Sequence, residues 1–415
     1  SIVSAETAAC TTNRCSIWSR TLMGFNNPDM PWSDVEALLS GRGPARGRDG
    51  RAPGSSSWNA GGDGPALGRK RQPFEPAAGR DTAASPDVTR PLMRPDIGHV
   101  PYAELHCHSN FSFLDGASHP EALAEEASRL GLEALALTDH NGFYGIVRFA
   151  EAARAVGLPT VFGAEITLTA TGRQARSEAE TQHQVHTGQV ADSHAPDPHG
   201  QHLLVLAEGP TGYARLARAL SGGHLAGEKG APRFAFDDIA DAMAGHGWVL
   251  TGCRKGAVPA AMVDRGPRVA ARELQRLVTA FGRDRVLVEL WDHGNPLDSV
   301  RNDALAELAA RHDVGCVATN NVHYATPAQR KLATAVAAVR ARRSLDELDP
   351  WLPAASSAHL RSGAEQARRF LRYPGVVQLA AEVGGAAAFD LSLVAPRLPP
   401  YPCPDGVDGQ PLTEM

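Results

Sequence analysis

The stretch YAELHCHSNFSFLDGASHPEALAEEASRLGLEALALTDH, residues 102 to 140, decides the fold. It opens on a β-rich run, YAELH (102 to 106), and returns to one, EALALT (133 to 138). Between them Ser118, Pro120 and Glu121 make an S-x-x-E capping box with proline at the helix start, followed by Leu123, Ala127, Leu130 and a terminating Gly131. This is a strand–helix–strand unit. The same alternation continues outward through TVFGAE (160 to 165), HLLVLA (202 to 207), GWVLTG (247 to 252), RVLVEL (285 to 290) and VGCVAT (314 to 319), with helical patterns at 145 to 156, 268 to 281 and 300 to 311. Strands as continuously apolar as LLVL and VLVEL, separated by amphipathic helices, predict a mostly parallel sheet covered on both faces. Seven such units favour an α/β barrel over a doubly wound sheet.

The flanks read differently. Residues 24 to 40 hold a short helix pattern in which Ser33 caps and Val35, Leu38 and Leu39 form a stripe. From Gly41 to about Arg90, Gly, Arg, Pro, Ala and Ser dominate without apolar period, the composition of a disordered tether. Residues 41 to 80 carry eight Lys or Arg against three acidic residues, which a solvated linker accounts for better than a nucleic-acid contact. Residues 171 to 200 interrupt the barrel pattern as an inserted polar loop, and its His183, His186, His194 and His199 read as solvated side chains. The expected organisation is an N-terminal extension over 1–100, a barrel over 101–342 and a helical linker over 343–415.

Composition sets limits. A net charge of −5 excludes a strongly basic field around the whole molecule, so nucleic-acid contacts would be local. No apolar run is expected to reach the roughly 18 to 20 residues of a membrane span, and no leader pattern is visible, so a cytoplasmic chain without membrane partners is expected. Six scattered cysteines with no CxxC pair predict reduced thiols rather than a disulfide framework or a zinc knuckle.

The chemistry lies where strands end, as in other α/β barrels. His106 and His108 flank Cys107 at i and i+2, so both imidazoles face one side and Cys107 turns to the core. Alone this proves nothing: 16 histidines in 415 residues give about 0.6 such pairs by chance. The case rests on repetition. Asp115 follows in the first loop, Asp139 and His140 close the second strand, Glu165 closes the third, and Asn320, Asn321 and His323 follow the seventh; His202 and Cys253 flank the fourth and fifth. His202 opens its strand, so to join the others that strand must run the opposite way. Imidazole, carboxylate and thiolate together suit zinc, manganese or iron, and so many ligands suit more than one ion. Arg254 and Lys255, beside Cys253, could hold a phosphate; a basic turn is the plainer reading.

The segments HCHSNFSFLDGAS, LALTDHNGFYGIVRFAEAA, FGAEITL, HLLVLAEGPTGYARL, TGCRKG and VATNNVHYA resemble the PHP (polymerase and histidinol phosphatase) domain of bacterial C-family polymerases over residues 101 to 342. The opening MGFNNPDMPWSDVEALLSGR and the tail segments SAHLRSGAEQARRFLRYPGVVQLAAEV and FDLSLVAPRLPPYPCPDG resemble the error-prone, damage-tolerance branch of that family. The resemblance implies a distorted seven-stranded barrel followed by a helical segment leading to a polymerase palm. It also implies one to three divalent transition ions, zinc or manganese, on His106, His108, Asp115, His140, Glu165, His202, Cys253 and His323. Asn321 stands where metal-binding members have aspartate, which puts catalysis in doubt more than binding. The family's palm aspartates have no counterpart before Met415, so these residues alone are not expected to polymerise. A phosphodiesterase or 3′–5′ exonuclease, and an inert brace for the palm, are the two functions the resemblance leaves open. A free-standing histidinol-phosphate phosphatase is disfavoured by the tail. DNA, a clamp and accessory translesion proteins are implied as partners of the full-length relative.

Overall fold

The structure is a computed structural model that describes residues 99–169, 200–348 and 357–394. The readings of the N-terminal helix and tether, the inserted loop with its four histidines, and the last residues of the tail lie outside the described residues. Within them the chain alternates as follows: β1 (Ala103–Glu104), α1 (Pro120–Leu130), β2 (Ala134–Leu137), α2 (Ile146–Ala155), β3 (Thr160–Leu168), β4 (Gln201–Ala207), α3 (Gly209–Ala226) and α4 (Phe236–Met243). Then come β5 (Gly247–Leu250), α5 (Ala257–Arg265), α6 (Pro267–Phe281), β6 (Val286–Leu290), α7 (Asp298–His312), β7 (Gly315–Ala318), α8 (Arg330–Ala341), α9 (Gly363–Arg369) and α10 (Val376–Ala387). All seven expected strands are present.

The strands form one sheet in sequential order, β1 to β7. Every neighbouring pair is parallel except β3–β4 and β4–β5, so β4 alone is reversed. The short strands β1, β2, β5 and β6 are buried throughout, as expected of strands covered on both faces, and β7 is buried in its second half. The curled sheet closes beyond the ends of β1 and β7. Cys107 bridges Val322, the His108 N–H donates to the Val322 carbonyl at 2.8 Å, and the Val322 N–H donates to the His106 carbonyl at 2.8 Å. Helix α10 packs over this seam: a Cβ on Gly384 would stand 2.4 Å from that of Ala103, and one on Gly315 would meet Leu379 at 2.9 Å. Only the missing side chains let helix and sheet approach so closely.

Two local readings need correction. Helix α1 is not capped by Ser118; His119 is the N-cap, with no side-chain cap bond. Ser118 is spent elsewhere, donating to Gln329 Oε1 at 2.7 Å and accepting the Ala325 N–H at 2.8 Å. The stop at Gly131 does hold, with φ 69° and its N–H on Ser128. Secondly, Val376–Leu393 is an 18-residue stretch of mean hydropathy 1.3, long and apolar enough by composition for a membrane span, where none was expected. Its helix buries Val376, Val377, Ala380, Val383 and Ala387 in the domain core.

Candidate metal centre

The sequence between β1 and α1 folds back as a tight loop that delivers three of the expected residues. His106 and His108 continue the line of β1, and Cys107 between them is fully buried in the core, as alternation demands. Asp139 does not face the cluster. It accepts the Ser109 N–H and the hydroxyls of Ser109 and Ser112, each at 2.7 Å, and thereby pins the loop. Burial raises its pKa against those bonds. Leu114 takes φ 61°, and a Cβ on Gly116 would lie 2.0 Å from the Ser109 carbonyl oxygen, so the turn presenting Asp115 needs glycine there.

Glu165 stands at the centre. It does not close its strand, as the sequence had suggested, but lies inside β3, which runs on to Leu168 against β4. His202 pairs with Thr167 across that antiparallel ladder, which places it diagonally beside Glu165 on the same face. The reversal of β4 is what brings a residue from a strand's beginning to a site built from strand ends. Around the Glu165 carboxylate lie His202 Nδ1 at 3.1 Å, His140 Nδ1 at 3.2 Å, His106 Nε2 at 3.4 Å, His108 Nε2 at 3.5 Å and Cys253 Sγ at 3.8 Å. A second focus forms at Asp115, whose Oδ2 meets His140 Nε2 at 3.1 Å and His323 Nδ1 at 3.3 Å. His140 faces both carboxylates, one with each ring nitrogen, and its ring stacks on His108 at 4.5 Å.

The electrostatics follow from burial opposed by neighbours. Burial would raise both carboxylates, yet His323 and His140 hold Asp115 well below the usual range, and His202 and His106 do so for Glu165. Burial, with the charge of His140, lowers His108 and favours its neutral, metal-ligating form. For His106 burial is outweighed by Glu289 and Glu165, which raise it.

This donor set fits a divalent transition ion. Among the described residues, His106/His108/Glu165, His108/Asp115/His140 and His140/Glu165/His202 each bring three ligand atoms within 4.8 Å of one another. His106 Nε2 and His108 Nε2 face each other at 3.1 Å, and one proton at most can sit between them. Asn321 is buried at φ 41°, and its Oδ1 has no hydrogen-bond partner. A cation would satisfy such groups. Arg254 is exposed and Lys255 half-buried at the turn after Cys253, where the Lys255 carbonyl accepts the His202 N–H at 3.0 Å.

Several supporting residues escaped the sequence reading. Glu289 accepts His106 Nδ1–H at 2.7 Å and the Thr319 hydroxyl at 2.5 Å. Ser112 lies 3.2 Å from His108 Nδ1. Glu104 accepts the His106 and Asn320 N–H groups, both within 3.1 Å, and the Tyr102 hydroxyl at 2.7 Å. The Asn320 amide nitrogen donates to the carbonyls of Ser357 and His359 at 2.7 and 2.6 Å, which ties this side chain to the later segment. Arg340 donates to Asp115 Oδ1 at 2.7 Å. Glu104 and Glu289 did leave a signal, as lone carboxylates inside otherwise apolar strands.

The PHP domain family matches residues 104–293. The chain is 50% identical over 92% of its length to an error-prone DNA polymerase of Mycolicibacterium paratuberculosis, of which it covers 32%. It is 49% identical over 92% of its length to one of Mycobacterium tuberculosis, covering 31% of it, and 48% identical over 93% to one of Nocardia farcinica, covering 34%. A solved amidohydrolase structure from Chromobacterium violaceum aligns over 54% of this chain and 88% of that one, at 19% identity and a TM-score of 0.37, a likeness that bears no weight. The chain thus spans about a third of the length of the curated relatives it matches. The described barrel thus matches the PHP domain family over residues 104–293, on a chain similar over about nine-tenths of its length to error-prone DNA polymerases.

Proposed function

We propose that the barrel is the metal-binding region of an error-prone DNA polymerase, in which the longer protein supplies synthesis, DNA contacts, and the clamp and accessory partners of translesion replication and repair in the cytoplasm. The observation that carries this reading is the ring of His106, His108, His140, His202 and Cys253 about the single carboxylate of Glu165. His106, His108, Asp115, His140, Glu165, His202, Cys253 and His323 would hold one to three divalent ions, zinc or manganese. Bound there, such ions supply Lewis-acid stabilisation of a phosphate ester and a water of lowered pKa. The protein's own part is to fix the imidazoles, through Glu289 and Ser112, and to exclude water behind them.

Two uses of the centre are compatible with this. As a brace, it ties the seam where β1 and β7 meet, because His106, His108 and His323 all belong to the closing segments. As a phosphodiesterase acting on a DNA 3′ end, it would receive substrate on the side where the His323 side chain is 18% exposed, and Arg254 and Lys255, in the turn after Cys253, are candidates to hold its phosphate. The neutral Asn321 favours the brace, since two carboxylates alone compensate the charge of several cations poorly. Elemental analysis of purified protein, paired with an exonuclease assay, tests both uses. The double substitution His106→Ala/His140→Ala is expected to release the metal; retention at full stoichiometry would place the site elsewhere.

A further inference from the structure

The two foci of the cluster are not electrically equivalent. At the Glu165 focus Cys253 adds a thiol that can ionise, and the Glu289 carboxylate stands behind His106. At the Asp115 focus the other ligand candidates are imidazoles, and the one carboxylate already carries a guanidinium: Arg340 Nη1 lies 2.7 Å from Oδ1, with the arginine side chain 19% exposed.

The Asp115–Arg340 contact is part of the architecture and not a chance meeting of surface side chains. Arg340 sits on the last turn of α8. That helix is set by the preceding turn, where Thr326 and Gln329 form a capping box, and Gln329 is tied to Ser118 at 2.7 Å. Ser118 belongs to the loop that presents Asp115, and the neighbouring Ala117 N–H donates to the His323 carbonyl at 2.7 Å. Loop and helix are stitched together through the residues that precede α8. Asp115 therefore divides its oxygens, Oδ1 to the arginine and Oδ2 to His140 and His323.

Resting on the metal-centre reading above, we propose that Arg340 is a charge guard on the Asp115 half of the cluster, so that this half takes a divalent cation more weakly than the Glu165 half. A cation at Oδ2 would stand within a few ångströms of the guanidinium, where repulsion across partly buried surroundings weakens binding about tenfold or more. Arg340 is a positioning residue. It also holds the Asp115 carboxylate in place, and that second role predicts the opposite effect on substitution, which makes the two separable. Glutamine at this position keeps an N–H for Oδ1 and removes the charge.

Cobalt(II) is the probe, because the Glu165 half contains Cys253 and the Asp115 half has only nitrogen and oxygen donors. Chelator-stripped full chain is titrated while the absorption spectrum is followed. In the wild type the first equivalent is expected to bring in the thiolate-to-cobalt charge-transfer band, and a later, weaker phase to add ligand-field absorption without it. Arg340→Gln should tighten that later phase about tenfold or more and leave the first unchanged; Arg340→Lys, which keeps the charge, should titrate like the wild type. Unchanged or weaker later binding in Arg340→Gln, with native circular dichroism, would overturn the guard. Tightening by Arg340→Lys equal to that by Arg340→Gln would overturn it as well. Failure of the wild type to bind any cobalt would instead remove the metal-centre reading on which the guard rests.

Discussion

Glu289 and His106 face each other at 2.7 Å with neither side chain exposed to solvent, the Thr319 hydroxyl completing the carboxylate's hold. This contact leaves Nε2 as the ring nitrogen that faces the cluster: with Nδ1–H donated to Glu289, Nε2 is the atom turned toward Glu165 and His108. Glu289→Gln keeps an acceptor for Nδ1–H but discards the charge that makes the ring a better donor. Metal affinity is expected to fall about 10- to 100-fold, measured by competition with a chelator of known strength. Unaltered affinity in a folded Glu289→Gln protein would reduce Glu289 to a packing role.

Glu104 predicts a pH dependence of stability. Burial raises its pKa to about 7 in spite of the bonds from Tyr102, Asn320 and His106. A carboxyl group with a raised folded-state pKa contributes stability fully below its unfolded value near 4.5 and loses it as pH rises through about 7. Glu104→Gln removes that loss. In metal-free protein, the stability of Glu104→Gln relative to wild type should therefore climb between pH 4.5 and pH 8, by at most about 3 kcal/mol. A difference that stays constant across this range in denaturant titrations would show that Glu104 ionises normally.

Arg361 anchors the segment after residue 357 to the barrel. It is fully buried, and its guanidinium donates to the carbonyls of Asp292 and Ser357 at 3.0 to 3.1 Å, with Glu365 at 3.7 Å. Arg361→Met leaves those carbonyls without donors, and is expected to cost about 3 to 5 kcal/mol. The midpoint of urea unfolding should drop at unchanged slope. A loss below about 1 kcal/mol would mean that water replaces the guanidinium.

Strand count and strand positions were legible because each strand is a short apolar run between clear breakers, and a buried parallel sheet has no alternative pattern to offer. The candidate ligands were legible as polar residues at the ends of those runs. For His202 the sequence offered only a condition, that it could join the cluster from a reversed strand, and β4 is reversed. Position relative to Asp139, Asn320 and Ser118 was not legible: each is a polar residue in a suitable place, and only three-dimensional neighbours decide that Asp139 holds a loop, Asn320 a later segment and Ser118 the start of α8. Arg340 could not be read at all, because an arginine at the end of a helix looks like any solvated surface residue until the fold brings Asp115 beneath it.

Asn321 is the residue on which the two uses of the centre divide. It stands two residues before His323 in the segment that closes the barrel, its backbone is left-handed at φ 41°, and its buried Oδ1 has no hydrogen-bond partner. The left-handed conformation is one that asparagine and aspartate tolerate better than other side chains with a Cβ, so Asn321→Asp can be accommodated without moving the backbone. The exchange adds one negative charge beside ligands whose only carboxylates are Asp115 and Glu165. That charge offsets repulsion between neighbouring cations and offers an oxygen able to bridge them. Metal occupancy is expected to rise, and hydrolysis of a DNA 3′ end, absent or slight in the unmodified protein, to appear or increase with manganese or zinc. The comparison requires equal protein and metal concentrations, with Asn321→Asp/His108→Ala as the control for contaminating nuclease. If Asn321→Asp alters neither occupancy nor hydrolysis, position 321 takes no part in the centre. If the unmodified protein already cleaves at the rate of Asn321→Asp, the brace loses its support and the centre is a working phosphodiesterase.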